Sequence, residues 1–237
     1  MERIGAFALS LNLWRIMSNA IKFTKEEARR IVLNCAKLYQ SRLLHKKLLI
    51  IYRERRNNEI RYIEVIFHAR NYKHLTGLEL IGKDGTILPH QSMNFYRKCI
   101  ENKLGLNEFC FRKDGTSHLK LAALPVLTDI TKITKIAGDY NHGRPYLFVD
   151  KVIGGVNFCL GLSQEGEVYV PSSALLEDIK KLTEAPSQVL AILEKDIDAD
   201  IYCTVRHAAK GLNLHHVVFP EEINRIICLE NYVYHGK

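Results

Sequence analysis

The feature that most constrains this chain is a helix start that cannot stand alone. Thr24 and Glu27 have the spacing of a capping box, and Ala28, Ile31, Val32, Cys35, Leu38 and Tyr39 follow at helical period. This spacing predicts an amphipathic helix ending near Leu44. An isolated helix of this kind is marginal in water until its apolar stripe packs against a partner. The rest of the chain must therefore supply a surface that buries Ala28, Ile31, Val32, Cys35 and Leu38.

The following residues supply it. The apolar run 48–52 and the alternating residues Ile60, Tyr62, Glu64 and Ile66 flank Arg55-Arg56-Asn57-Asn58, a pattern of two strands joined by a turn. A mixed stretch covers 71–89, and a helix is predicted over 91–103. Residues 120–127 are apolar and short, and 128–137 read as a further helix stopped by Gly138. The second half is strand-rich. Segments 146–152 and 156–162 are separated by Gly154-Gly155, suited to a tight hairpin turn. A strand over 168–170 is expected to end at Pro171, with a helix capped by Ser173 running to 182. Strands over 189–193 and 201–205 complete a mostly antiparallel sheet. The fold class is α+β, with residues 24–237 read as one domain.

Residues 1–23 are read as an N-terminal extension. Its apolar stretch 4–14 followed by Ser18-Asn19-Ala20 has the outline of a signal peptide. Glu2 and Arg15 weigh against that, and a start at Met17 explains the segment at least as well. The six cysteines are scattered without a C-x-x-C pair and read as reduced core residues, which points to a cytoplasmic protein. No stretch has the length of a transmembrane helix. Among ten histidines there is no H-E-x-x-H and no Cys/His ligand spacing, so neither metal nor cofactor is expected.

Charge is distributed unevenly. Residues 1–120 carry 23 Lys/Arg against 11 Asp/Glu, and residues 121–237 carry 11 against 15. The densest part, 29–61, includes Lys46, Lys47, Arg53, Arg55 and Arg56. Such a stripe can bind a polyanion through phosphate contacts, or be a solvated helix face with a basic hairpin tip.

Three strings carry a resemblance: Phe67-His68-Ala69-Arg70-Asn71-Tyr72-Lys73-His74-Leu75-Thr76-Gly77, then Asp150-Lys151-Val152-Ile153-Gly154, then Val170-Pro171-Ser172-Ser173-Ala174-Leu175-Leu176-Glu177-Asp178-Ile179. Over roughly residues 25–205 the chain resembles the fourth of the phage-type Barnase-EndoU-colicin-RelE-like nuclease families. That resemblance implies helices packed on a curved antiparallel sheet and metal-independent endoribonuclease activity through 2′-hydroxyl attack. It also implies RNA as partner and an origin in phages, mobile elements or bacterial conflict; a protein inhibitor is a further candidate partner. Where the family pattern favours Asn-Thr after Val-Pro, this chain has Ser172-Ser173.

Cleavage of this type needs a base, an acid and fixed positive charge around the phosphorane. His74 is the candidate base or acid, because its ordinary pKa lies near working pH. Lys151 and Lys73 are candidate cations, and Thr76 and Ser173 candidate phosphate donors. Tyr96 and Tyr72 are candidates for base stacking. Each has a competing structural role: a hydrogen-bonded histidine, salt-bridged lysines, capping hydroxyls and core aromatics. His74, Lys151 and the start of the Ser173 helix are expected to share one cleft. The alternative function is a non-catalytic RNA- or protein-binding module retaining the fold.

Overall fold

The computed structural model describes residues 22–234, so most of the N-terminal extension and its signal-like pattern lie outside the described residues. Helix α1 (Lys25–Arg42) starts as the sequence predicts: the Glu27 N–H donates to the Thr24 hydroxyl at 3.2 Å, and the Glu27 carboxylate accepts from the Thr24 N–H at 2.8 Å. Strands β1 (Lys46–Arg53) and β2 (Ile60–Ile66) form the expected antiparallel hairpin. Then come α2 (Ala69–Thr76), β3 (Leu78–Leu80), α3 (Ser92–Ile100), β4 (Phe109–Phe111), α4 (Thr116–Leu127) and the single turn α5 (Ile130–Ile133). The second half contributes β5 (Ile136–Asp139), β6 (Lys151–Gly154), β7 (Cys159–Glu165), β8 (Val168–Leu175), β9 (Ser187–Asp196) and β10 (Thr204–Ala208).

Strands β1-β2-β8-β7-β6-β5-β9-β10 make one eight-stranded sheet, and β1 also pairs with β9. The ladder thus curls back on itself. Of its strand pairings only β2 with β8 is parallel, through Val65 opposite Tyr169. The architecture is α+β with a large, mixed and strongly curved sheet.

Alternation along β1 shows why its apolar run is continuous. Leu48, Ile50 and Tyr52 join the core beneath the helices, whereas Leu49 and Ile51 pack with Ala191, Leu193, Tyr202, Leu214, Phe219 and Ile223 on the opposite face. A strand buried on both faces reads as uninterrupted hydrophobicity. Helix α1 buries Ala28, Val32 and Cys35 as expected, with Ile31 partly covered, and adds Leu33, Ala36 and Tyr39. Leu38 departs from the expectation, being 36% exposed. The buried stripe is rotated toward Tyr39, whose hydroxyl donates to the His68 carbonyl at 3.0 Å, because α2, α3 and α4 cover this helix together with the sheet.

Four segments differ from the sequence reading, the first being 146–150, expected as strand but irregular up to the start of β6 at Lys151. The helix expected over 128–137 lasts one turn, after which Ile136 and Ala137 pair with both β6 and β9. The helix expected from Ser173 is instead strand: β8 runs through Pro171 to Leu175, and helical geometry returns only as a three-residue 3-10 turn at Ile179–Lys181, capped by Asp178. Pro171 is tolerated because the register shifts there, with Pro171 opposite Leu162 and Ser173 opposite Gly161. The hairpin turn also lies later than predicted, since Gly154 still pairs with Cys159. Among the cysteines, Cys35, Cys99 and Cys159 are buried free thiols, but Cys203 is exposed, so not all are core residues.

Gly154 has a conformational requirement of its own. Its φ is +153°, and a Cβ there would lie 2.1 Å from the Phe158 carbonyl oxygen. Gly154→Ala is expected to lower stability by about 2 kcal/mol or more in urea unfolding. An unchanged midpoint would contradict this account of the turn.

Candidate active site

The most family-like string builds one corner of the fold. In α2, Leu75 is fully buried, and Thr76 donates its hydroxyl to the Lys73 carbonyl at 2.7 Å while accepting from the Leu78 N–H at 3.1 Å. Gly77 ends the helix in the left-handed region at φ +68°. The Ser117 hydroxyl donates to the Gly77 carbonyl at 2.6 Å, and a Cβ on Gly77 would come within 3.0 Å of both the Ser117 backbone and the Lys120 side chain. The Leu-Thr-Gly sequence thus locks the end of α2 against the start of α4. One turn into α4, Lys120 donates to the His74 carbonyl at 2.8 Å.

That junction opens into a groove of about 870 Å³, within the range of small-molecule and substrate clefts. Arg70, Asn71 and His74 of α2 line one side, and Arg112, Asp114, Thr116 and Lys120 another. Residues 170–175 of β8 form a third wall with Ser163 and Glu165 of β7, and the loop 145–149 completes the rim. The bulge in β8 brings Ser172 and Ser173 to the same groove, the kind of re-aiming that bulges accomplish beside functional sites. The Ser172 hydroxyl lies 2.7 Å from that of Ser163, which donates to the Phe148 carbonyl at 3.0 Å. Among the described residues the Ser173 hydroxyl has no protein partner.

The electrostatics favour proton exchange. Partial burial pulls the His74 imidazole below its ordinary value, and the charges of Lys73, Lys120 and Arg112 pull it further. Burial, with Arg112 adding to it, lowers the Lys120 ammonium to about 8. A neutral imidazole beside a lysine near neutrality is a pair whose environments suit opposite acid and base tasks. Arg70 is ion-paired with Glu165. Arg112 donates twice to Glu79, at 2.8 and 3.0 Å, and Glu79 also holds the Lys73 ammonium at 2.7 Å. Partial burial alone would raise the Glu79 carboxyl, but the hydrogen bonds and charges of Lys73 and Arg112 outweigh it and hold it low.

Of the residues singled out from sequence, the structure brings His74 and Ser173 together. Lys151 does not line the groove and is bound to Asp139 at 2.5 Å, an ion pair that keeps it charged against the effect of burial. Thr76 is fully buried as a helix-end cap, and Lys73 is buried against Glu79. Tyr72 and Tyr96 lie in the helical core, with Tyr72 donating to the Val32 carbonyl at 2.7 Å. The basic stripe is largely matched by folding: Lys46 pairs with Glu194 at 2.5 Å, Lys47 with Glu64 at 2.8 Å and Arg56 with Glu184 at 3.1 Å. Arg53 donates to the Asn58 carbonyl at 3.4 Å, and Arg55 stays exposed at the turn. The charge asymmetry between the halves is thus partly an internal pairing pattern.

Sequence reasoning missed Arg70, Arg112 and Lys120. Arg70 stands four residues before His74, on the same helix face. Lys120 is the only charged residue in an apolar run from 119 to 127, a signal that this position faces something polar. Among the described residues no three His, Cys, Asp or Glu side chains converge as a metal site would require, and no helix is long and apolar enough to cross a membrane.

Two outcomes follow. By NMR, His74 should titrate below 6.5 and shift upward in Lys120→Met; an unshifted titration would contradict the charge coupling. Glu79→Gln should cost about 3 kcal/mol by stranding Lys73. Because the fold holds Glu79 low, its contribution is complete above the ordinary carboxylate value and is lost as pH falls through the lowered one. Equal stability of wild type and Glu79→Gln at pH 7 would remove this role.

No curated protein and no solved structure matches the chain. A protein-family model described as phage-Barnase-EndoU-ColicinE5/D-RelE like nuclease4 matches residues 31–211, and that span holds both walls of the junction, the β8 bulge and every groove residue named above. The chain therefore belongs to this family of Barnase-EndoU-colicin-RelE-type nucleases.

Proposed function

We propose that the protein is a metal-independent endoribonuclease and that the groove between α2, α4 and β8 is its active site. The observation carrying this reading is the junction that puts His74 and Lys120 beside a bulged strand with an unpartnered serine hydroxyl. His74, neutral at working pH, takes the proton of the RNA 2′-hydroxyl. The 2′-oxygen attacks phosphorus and the bond to the 5′-oxygen breaks, leaving a 2′,3′-cyclic phosphate and a 5′-hydroxyl. Lys120 stabilises the charge on the phosphorane and gives its proton to the departing oxygen. Ser173 donates to a non-bridging oxygen, and Arg70 exchanges Glu165 for phosphate as substrate enters.

In this assignment Lys120 takes the place that the sequence suggested for Lys151, and Ser173 acts through its hydroxyl instead of through a helix start. The Ser172 position, where the family pattern has an amide, serves to tie β8 through Ser163 to the rim loop.

The pH dependence follows from the two shifts. Activity should fall on the acid side as His74 protonates, below 6.5, and on the alkaline side as Lys120 loses its proton near 8. Lys120→Arg keeps the charge but cannot release a proton, so its reduced activity should lack the alkaline limb. His74→Ala should lose on the order of a hundredfold or more. Cleavage of labelled RNA should persist in EDTA. Undiminished cleavage by His74→Ala would move the catalytic role elsewhere, and RNA binding without any cleavage would favour the non-catalytic module.

A further inference from the structure

The rim loop 145–149 has a feature that the cleavage chemistry leaves unused. Its burial alternates residue by residue: Leu147 packs against the core cluster of Tyr140, Val152 and Ile179, and Val149 is buried, whereas Tyr146 is 75% exposed and Phe148 is 99% exposed. A phenyl ring wholly in water is an unfavourable arrangement for a free protein, and here it is not a product of loose chain. The Tyr140 hydroxyl reaches the Gly143 and Pro145 carbonyls, each at 2.7 Å, and accepts from the Leu147 N–H at 3.1 Å. Ser163 holds the Phe148 carbonyl at 3.0 Å. The Arg144 guanidinium lies over the Tyr146 ring, 5.6 Å from its centroid. The backbone is thus fixed from within, while both exposed rings belong to the lining of the groove.

We propose that Tyr146 and Phe148 form a stacking platform for unpaired nucleobases flanking the phosphate bound in the groove, which makes single-stranded RNA the substrate. The inference rests on the ribonuclease reading above and adds the state of the RNA to it. The two rings stand two residues apart in the chain, with the half-buried Leu147 between them, so each can meet a separate base. A base paired within a duplex has no free face to present, whereas unpaired bases stack on aromatic rings with little regard to sequence. The adjoining Lys120, together with Arg70 and Arg112, which Glu165 and Glu79 hold in place, offers a phosphate chain the cationic donors that an apolar protein surface does not need.

The test is fluorescence anisotropy with a labelled 2′-O-methyl oligonucleotide, which cannot be cleaved, as a single strand and as a duplex. Wild type should bind the single strand more tightly. Phe148→Ala should weaken that binding about tenfold or more and leave duplex binding unchanged, and Phe148→Trp should retain affinity where Phe148→Leu does not. Because the Phe148 side chain is almost fully exposed, these variants should unfold at the wild-type urea midpoint. Wild-type affinity in Phe148→Ala, or a preference for duplex, would overturn the platform and assign the rings to a protein partner. If wild type cleaves RNA while Phe148→Ala binds normally, only this inference fails. If wild type neither binds nor cleaves, the ribonuclease reading fails with it.

Discussion

The structure depends on strand β1 being buried on both faces and paired along both edges. Leu48, Ile50 and Tyr52 anchor the helical core, Leu49 and Ile51 anchor the C-terminal segment, and β2 and β9 occupy the two edges. That double pairing closes the curled sheet and fixes where β2 ends. Since α2 follows β2 directly and β8 pairs beside it, the helix carrying His74 is delivered next to the strand carrying Ser173. Residues about a hundred positions apart meet because the parallel pairing of β2 with β8 brings α2 beside β8.

Within that frame the site is held by contacts too close to tolerate substitution. Gly77 lets the α4 backbone approach, Ser117 fastens the junction, and Lys120 is thereby set against the end of α2. The same desolvation that this packing imposes lowers both His74 and Lys120.

Local signals were legible in the sequence where local physics decides the outcome. The Thr24 capping box, the β1–β2 hairpin and the helix over Ser92–Ile100 all form near their expected places. The reading failed where tertiary pairing overrules periodicity. Residues 173–179 have helical spacing, yet β7 claims them through Ala174 and Leu175, and Ile136-Ala137 are captured between β6 and β9. The place of His74 in the groove lining was legible because it lies in a recognisable string. Lys120 and Arg112 were not, because their importance comes from a groove assembled across the sheet. The partial pairing of the basic stripe was hidden for a related reason: its counter-charges, Glu184 and Glu194, lie far away in sequence and adjacent in space.

Catalysis in the groove, as proposed, requires the scissile phosphate to bind at this junction and not along the basic hairpin. A structure of the protein with a short single-stranded RNA carrying one 2′-O-methyl group at the cleavage site tests it most directly. The expected result is a phosphate held by Ser173 and Lys120 with the His74 imidazole turned toward the blocked 2′-oxygen. RNA lying along Arg53, Arg55 and Arg56, with the groove between α2, α4 and β8 left open, would contradict it.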